Sequence, residues 1–175
     1  MRSWTIVAVL AVRTLSGQPV TVQGPQASVS VEELAARKAE IRASLAAKQA
    51  AKARIEAAAL NKKIPDDPEV WMLLGESQLA LGKLDDSEKS AQWMLDLKIG
   101  KADPEGWLFV AKIREAHKDY VGAMEAVTRA FEMTPVEKGA DRAGILRFAA
   151  RLAAKQGDVS GAARYRSEAI KAERR

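Results

Sequence analysis

The chain has 175 residues, no cysteine and a single histidine, His117. Without thiols there are no disulfides, cysteine metal sites or cysteine lipid anchors. One imidazole falls short of the four ligands that a zinc site normally needs. Serine chemistry has as little to build on. Ser77, Ser87 and Ser90 fall on helical segments with no base in pattern, and a serine nucleophile needs both an activating partner and an oxyanion donor. Gly75, Gly82 and Gly100 are scattered rather than gathered into a phosphate-cradling loop. No apolar run approaches the roughly 20 residues needed to cross a bilayer. These absences predict no enzyme, no metal and no cofactor. Aromatic residues are also scarce, at 5%, although 47% of the chain is hydrophobic, much of it alanine. Side chains that small predict thin helix–helix seams rather than one thick interior.

What the chain does have is an internal repeat. Residues 103–135, DPEGWLFVAKIREAHKDYVGAMEAVTRAFEMTP, read as two short helices joined by a tight turn at Lys118-Asp119. The first carries Trp107, Val110, Ala111 and Arg114; the second carries Tyr120, Ala123, Val127 and Ala130. Small residues at Ala111 and Ala123 allow close approach of the axes, and Pro135 ends the second helix. The same pattern stands 36 residues earlier. Asp67-Pro68-Glu69 matches Asp103-Pro104-Glu105, Trp71 matches Trp107, and the Gly82-Lys83 turn matches Lys118-Asp119. A fainter third copy follows, with a turn at Gly157-Asp158 and Leu146 in place of tryptophan. The turns are then 39 residues apart, which reads as an insertion over residues 136–140.

A helical hairpin of about 34 residues with bulky and small residues at these positions and a closing proline resembles the tetratricopeptide repeat. The resemblance implies an all-α, right-handed solenoid of about three hairpins, with units near 68–101, 104–135 and 141–173. It also implies a role in binding other proteins. In that family the first helices of successive units line a concave groove. Matched onto this chain, the groove positions are Met72, Glu76 and Leu79, then Leu108, Lys112 and Glu115, then Arg147, Arg151 and Lys155. The last three, spaced i, i+4, i+8, share one helix face, opposite Leu146, Ala149 and Ala153. Such a basic stripe suits an acidic peptide or a C-terminal carboxylate, which arginine grips through paired hydrogen bonds; it equally suits the exposed face of a terminal capping helix. Family members that clamp chaperone tails rely on asparagines in the groove, but here Glu76 and Lys112 occupy those positions, against that specific function.

Trp71 and Trp107 recur at the repeat period and so read as packing anchors rather than stacking platforms. Trp93 aligns with Arg129 instead of an aromatic residue, which predicts partial exposure on the convex side.

Ahead of the repeats, residues 31–62 hold 12 alanines and neither glycine nor proline, strong intrinsic helix material. Ser30 and Glu33 have the spacing of a capping box. Lys48 interrupts the heptad shared by Leu34, Ile41 and Ile55, so a stable coiled coil is not expected. Two readings remain for 31–63, one long alanine-rich helix or a degenerate hairpin. Without a glycine turn the long helix is narrowly preferred.

Residues 18–30, with Gly24 and Pro25 among polar residues, read as a flexible linker. Residues 1–17 begin MRSW followed by TIVAVLAV. This basic-then-apolar order is that of a secretory signal, so export, to a periplasm for example, is expected. Arg13 and the lack of an Ala-x-Ala site count against cleavage, with Ser16-Gly17 the best small-residue candidate. A disordered or strand-like N-terminus, or a misassigned start codon, are the alternatives, with a cytoplasmic location.

The net charge of +5 is unevenly spread. Residues 64–135 carry 14 acidic and 8 basic side chains, between two basic flanks. An acidic middle lacks the contiguous basic face that nucleic acid requires. The expected function is a non-catalytic scaffold that binds a peptide or helix of another protein. The alternative is a structural subunit of an envelope complex that docks through residues 31–62.

Overall fold

The computed structural model describes residues 29–174. Its first 28 residues lie outside the described part, and with them the signal-like stretch and nearly all of the linker. Among the described residues there are nine helices: α1 Val31–Ala46, α2 Ala50–Lys63, α3 Pro68–Ala80, α4 Leu84–Asp96, the short α5 Lys98–Lys101, α6 Pro104–Ala116, α7 Tyr120–Met133, α8 Gly139–Lys155 and α9 Val159–Glu173. They form four antiparallel hairpins, α1–α2, α3–α4, α6–α7 and α8–α9, stacked in chain order.

The preferred single helix over 31–62 is therefore replaced by its alternative, a hairpin. Lys48 takes the left-handed conformation, φ 58°, that Gly82 (71°), Lys118 (63°) and Gly157 (81°) adopt at the other three turns. The hydrogen bonds match as well. The N–H groups of Lys48 and Gln49 donate to Leu45 and Ser44 at 3.0 and 2.8 Å, as those of Gly82 and Lys83 donate to Leu79 and Gln78. This is the Schellman ending of a helix, usually signalled by glycine. A lysine in that place hides the turn from a reading based on propensity. Burial supplies the driving force. Ile41, Ala53, Ala57 and Leu60 pack with Val70, Leu73 and Leu74, which a straight helix would leave in water.

Each Asp-Pro-Glu motif starts a first helix. The Asp67 carboxylate accepts the N–H groups of Glu69 and Val70 at 2.9 and 3.1 Å, and Asp103 accepts that of Glu105 at 3.0 Å. These are N-caps with proline in the first turn, where its missing N–H costs nothing. The tryptophans then tie each helix to the loop before it. Trp71 Nε1 donates to Pro65 O at 2.7 Å, and Trp107 Nε1 to Lys101 O at 3.0 Å, six residues back in both cases. Trp93 is 59% exposed, yet its ring stacks on Trp71 with centroids 5.8 Å apart. Arg129 does the same for Trp107, its guanidinium 4.5 Å from the ring centre. Tryptophan and arginine thus serve one purpose at equivalent positions.

The core is continuous through the middle of the stack. Phe109, Ile113, Ala123, Val127, Phe148 and Leu152 belong to one cluster. Gly75 lets Phe109 approach; a Cβ built there would lie 2.5 Å from Phe109 Cζ. The extra residues of the last unit are not in the loop over 136–140. That connection is short, since α7 ends at Met133 and α8 begins at Gly139. They lie in the helices, chiefly in α8, which has 17 residues against 13 in α3 and α6.

Candidate functional site

The first helices of the four hairpins share a face. One hollow of about 250 Å³ is lined by Arg42 of α1, Met72 and Glu76 of α3, Leu108 and Lys112 of α6, and Gly144, Ile145 and Phe148 of α8. Its floor is apolar, since Met72, Ile145 and Phe148 are buried and Leu108 is half-buried. Two further hollows extend it, one along Met72, Glu69 and Asp66, the other along Leu108, Ile145, Asp141 and Lys138. Glu105 lines all three, and together they make a trough across the stack.

Ion pairs join each first helix to the next along this face. From α1, Lys38 Nζ lies 2.6 Å from Asp67 and 2.7 Å from Glu69, and Arg42 also pairs with Glu69. Between α3 and α6, Glu76 meets Lys112 at 3.2 Å. From α8, Arg151 donates to both Glu115 oxygens at 3.1 Å, and Lys155 Nζ donates at 2.9 Å. Partial burial would raise the Glu115 pKa. The hydrogen bonds and charges of Arg151 and Lys155 outweigh it and hold the carboxyl below its ordinary value.

Of the nine residues assigned to the groove from sequence, Met72, Glu76, Leu108 and Lys112 line the central hollow. Glu115, Arg151 and Lys155 form the ion-pair cluster beside it, with Arg151 4.3 Å above the ring centre of Phe148. Leu79 packs instead against the core cluster. Arg147 turns to Glu173 of α9. The expected basic stripe is exposed, and each of its three cations is ion-paired within the chain. Helix spacing places the three cations on one face and says nothing of what the neighbouring repeat sets against them. The signal was there in the period: Glu115 precedes Arg151 by 36 residues, as Glu76 precedes Lys112. The same offset carries Met72 to Leu108 to Gly144. Aligning Leu146 with the tryptophans shifted the last unit by three residues and hid Gly144, Ile145 and Phe148. Arg42 becomes visible only once α1 is the first helix of a hairpin, and in the sequence Glu105 stands out only as part of a repeated motif.

The remaining polar candidates are occupied structurally. Ser87 Oγ donates to Gly75 O at 2.8 Å, Ser77 Oγ to Leu74 O at 2.6 Å, and Ser90 Oγ to Gln78 Oε1 at 2.7 Å. His117 ends α6 and lies 3.7 Å from Glu88. Among the described residues there is no cluster of three metal-capable side chains, and no helix long and apolar enough to cross a membrane.

Among solved structures, the chain is similar to the tetratricopeptide-repeat domain of Sgt2 from Aspergillus fumigatus. The identity is 22% and the TM-score 0.55, over 63% of this chain and 72% of that one. It is also similar to a MamA structure, the RS-1 ArsTM double mutant, at 12% identity and TM-score 0.64, over 83% of this chain and 78% of that one. No protein-family model and no curated protein matches it. The fold is that of a tetratricopeptide-repeat-like, all-helical solenoid.

Proposed function

We propose that the chain is a non-catalytic scaffold that binds a peptide or helix of another protein along the face formed by α1, α3, α6 and α8. The observation that carries this reading is the central hollow, to which all four first helices contribute and whose floor is Met72, Leu108, Ile145 and Phe148. An apolar floor rimmed by charge gives a docking segment both burial and orientation. Affinity capture from the source cell tests it, with wild type and Leu108→Asp compared at matched thermal midpoints. The scaffold reading expects a partner retained by wild type and lost by the variant. A partner retained equally by both overturns the groove as its site.

The envelope-subunit reading has less to rest on. Of the large apolar side chains of α1 and α2, Val31 and Ile55 are the exposed ones, while Ile41 and Leu60 face the stack. For location we propose export, from the basic-then-apolar order of residues 1–12. Fractionation of cells carrying the full chain tests this, and a wholly cytoplasmic product refutes it.

A further inference from the structure

The charges of the trough select its occupant, taking the scaffold reading above as the starting point. Its cations are mostly engaged within the chain: Lys38 with Asp67 and Glu69, Arg42 with Glu69, Lys112 with Glu76. Three of the trough's carboxylates are not matched in turn. Asp66, Glu105 and Asp141 are exposed, line the trough and make no ion pair among the described residues. Among the described residues, Lys138 is the one lysine lining the trough that likewise makes no ion pair. Glu105 sits where the three hollows meet, next to Leu108 and Met72. The cations that would attract an acidic segment, Arg151 and Lys155, are held by Glu115, and Lys155 also lies 5.8 Å from the Tyr120 ring centre. Binding an anion there would mean breaking pairs already formed.

We infer that the trough takes a cationic, amphipathic polypeptide segment. Its leucine- or methionine-like side chains would rest on Met72, Leu108 and Ile145, and its lysines or arginines would face Glu105, Asp141 and Asp66. This is charge complementarity at the rim of an apolar floor. It is also the opposite sign to the acidic ligand expected from the α8 cations alone.

The test uses the full chain and two synthetic 14-residue peptides of identical leucine pattern, one with lysines and one with glutamates at the polar positions. Fluorescence anisotropy in 50 mM salt is the readout. The inference expects the lysine peptide to bind at least tenfold more tightly than the glutamate peptide. Raising salt to 300 mM should weaken that binding, because exposed charges are screened. Glu105→Lys with Asp141→Lys should reduce it by tenfold or more, with the fold checked by circular dichroism. Leu108→Asp separates the two levels of the claim. If the glutamate peptide binds more tightly and is lost with Leu108→Asp, the trough binds peptides but its cation preference is overturned. If the lysine peptide binds equally to wild type and to both variants, or neither peptide binds, the inference fails along with the reading on which it rests.

Discussion

Of the glycines inside helices, Gly144 and Gly75 have opposite fates on substitution by alanine. At Gly144 of α8 an added Cβ meets nothing within 4 Å. Alanine there gains the helical preference alone, roughly 0.5–1 kcal/mol. At Gly75 of α3 the same methyl would lie 2.5 and 2.8 Å from Phe109 Cζ and Cε1, and 3.1 Å from Ser90 Cβ. Phe109 is 0% exposed, so its ring has no solvent to move into. Overpacking of this kind costs about 1–3 kcal/mol, which exceeds the helical gain. Gly144→Ala should therefore be stabilising, while Gly75→Ala is neutral to destabilising, by up to about 2 kcal/mol. For a chain of this size about 1 kcal/mol moves Tm by roughly 2–4 °C, and urea midpoints at unchanged m-value give the same comparison. Adding Phe109→Leu removes the atoms in conflict. In a double-mutant cycle it should relieve the Gly75→Ala penalty by about 0.5 kcal/mol or more. If Gly75→Ala stabilises as much as Gly144→Ala does, the close seam between α3 and α6 is not as described.

Three further expectations follow from single contacts. Glu115→Gln should lower stability at pH 7 by about 1 kcal/mol or less, since Arg151 and Lys155 are half exposed. The folded carboxyl titrates below its ordinary value near 4.5, so its contribution is present above that pH and lost as pH falls through the folded pKa. Unfolding curves of the two proteins should therefore converge in acid; a constant gap down to pH 2 would contradict the pairing. Lys118→Gly should raise Tm slightly, by the equivalent of about 0.5–1 kcal/mol, because glycine relieves the left-handed strain at φ 63°; a fall in Tm would argue against that turn. Trp107→Phe removes the indole donor to Lys101 O and should cost about 0.5–1.5 kcal/mol. It should also speed hydrogen exchange at the start of α6, and unchanged exchange there would remove the clamp from the account.

The repeat itself was legible because tight turns, Asp-Pro-Glu starts and recurring tryptophans leave residue-specific marks. The α1–α2 turn was not, because Lys48 adopts a conformation that glycine normally announces, and alanine-rich flanks favour helix on both sides of it. The groove was legible in register for two units and displaced in the third. The three-residue excess lies in the helices, chiefly in α8, whereas turn-to-turn spacing points to the loop. Electrostatics was the least legible. Whether Arg151 and Lys155 are free depends on Glu115 of the preceding unit, which becomes visible only once the 36-residue period is applied to charges as well as to packing.

The most direct measurement is site-specific photo-crosslinking in the source cell, with a benzophenone side chain placed at Leu108 on the trough or at Ala163 on the exposed side of α9. The account predicts a defined protein adduct from position 108, lost when Glu105 and Asp141 are reversed to lysine, and none from position 163. The same adduct from position 163, or adducts from 108 that ignore the charge reversal, would contradict it.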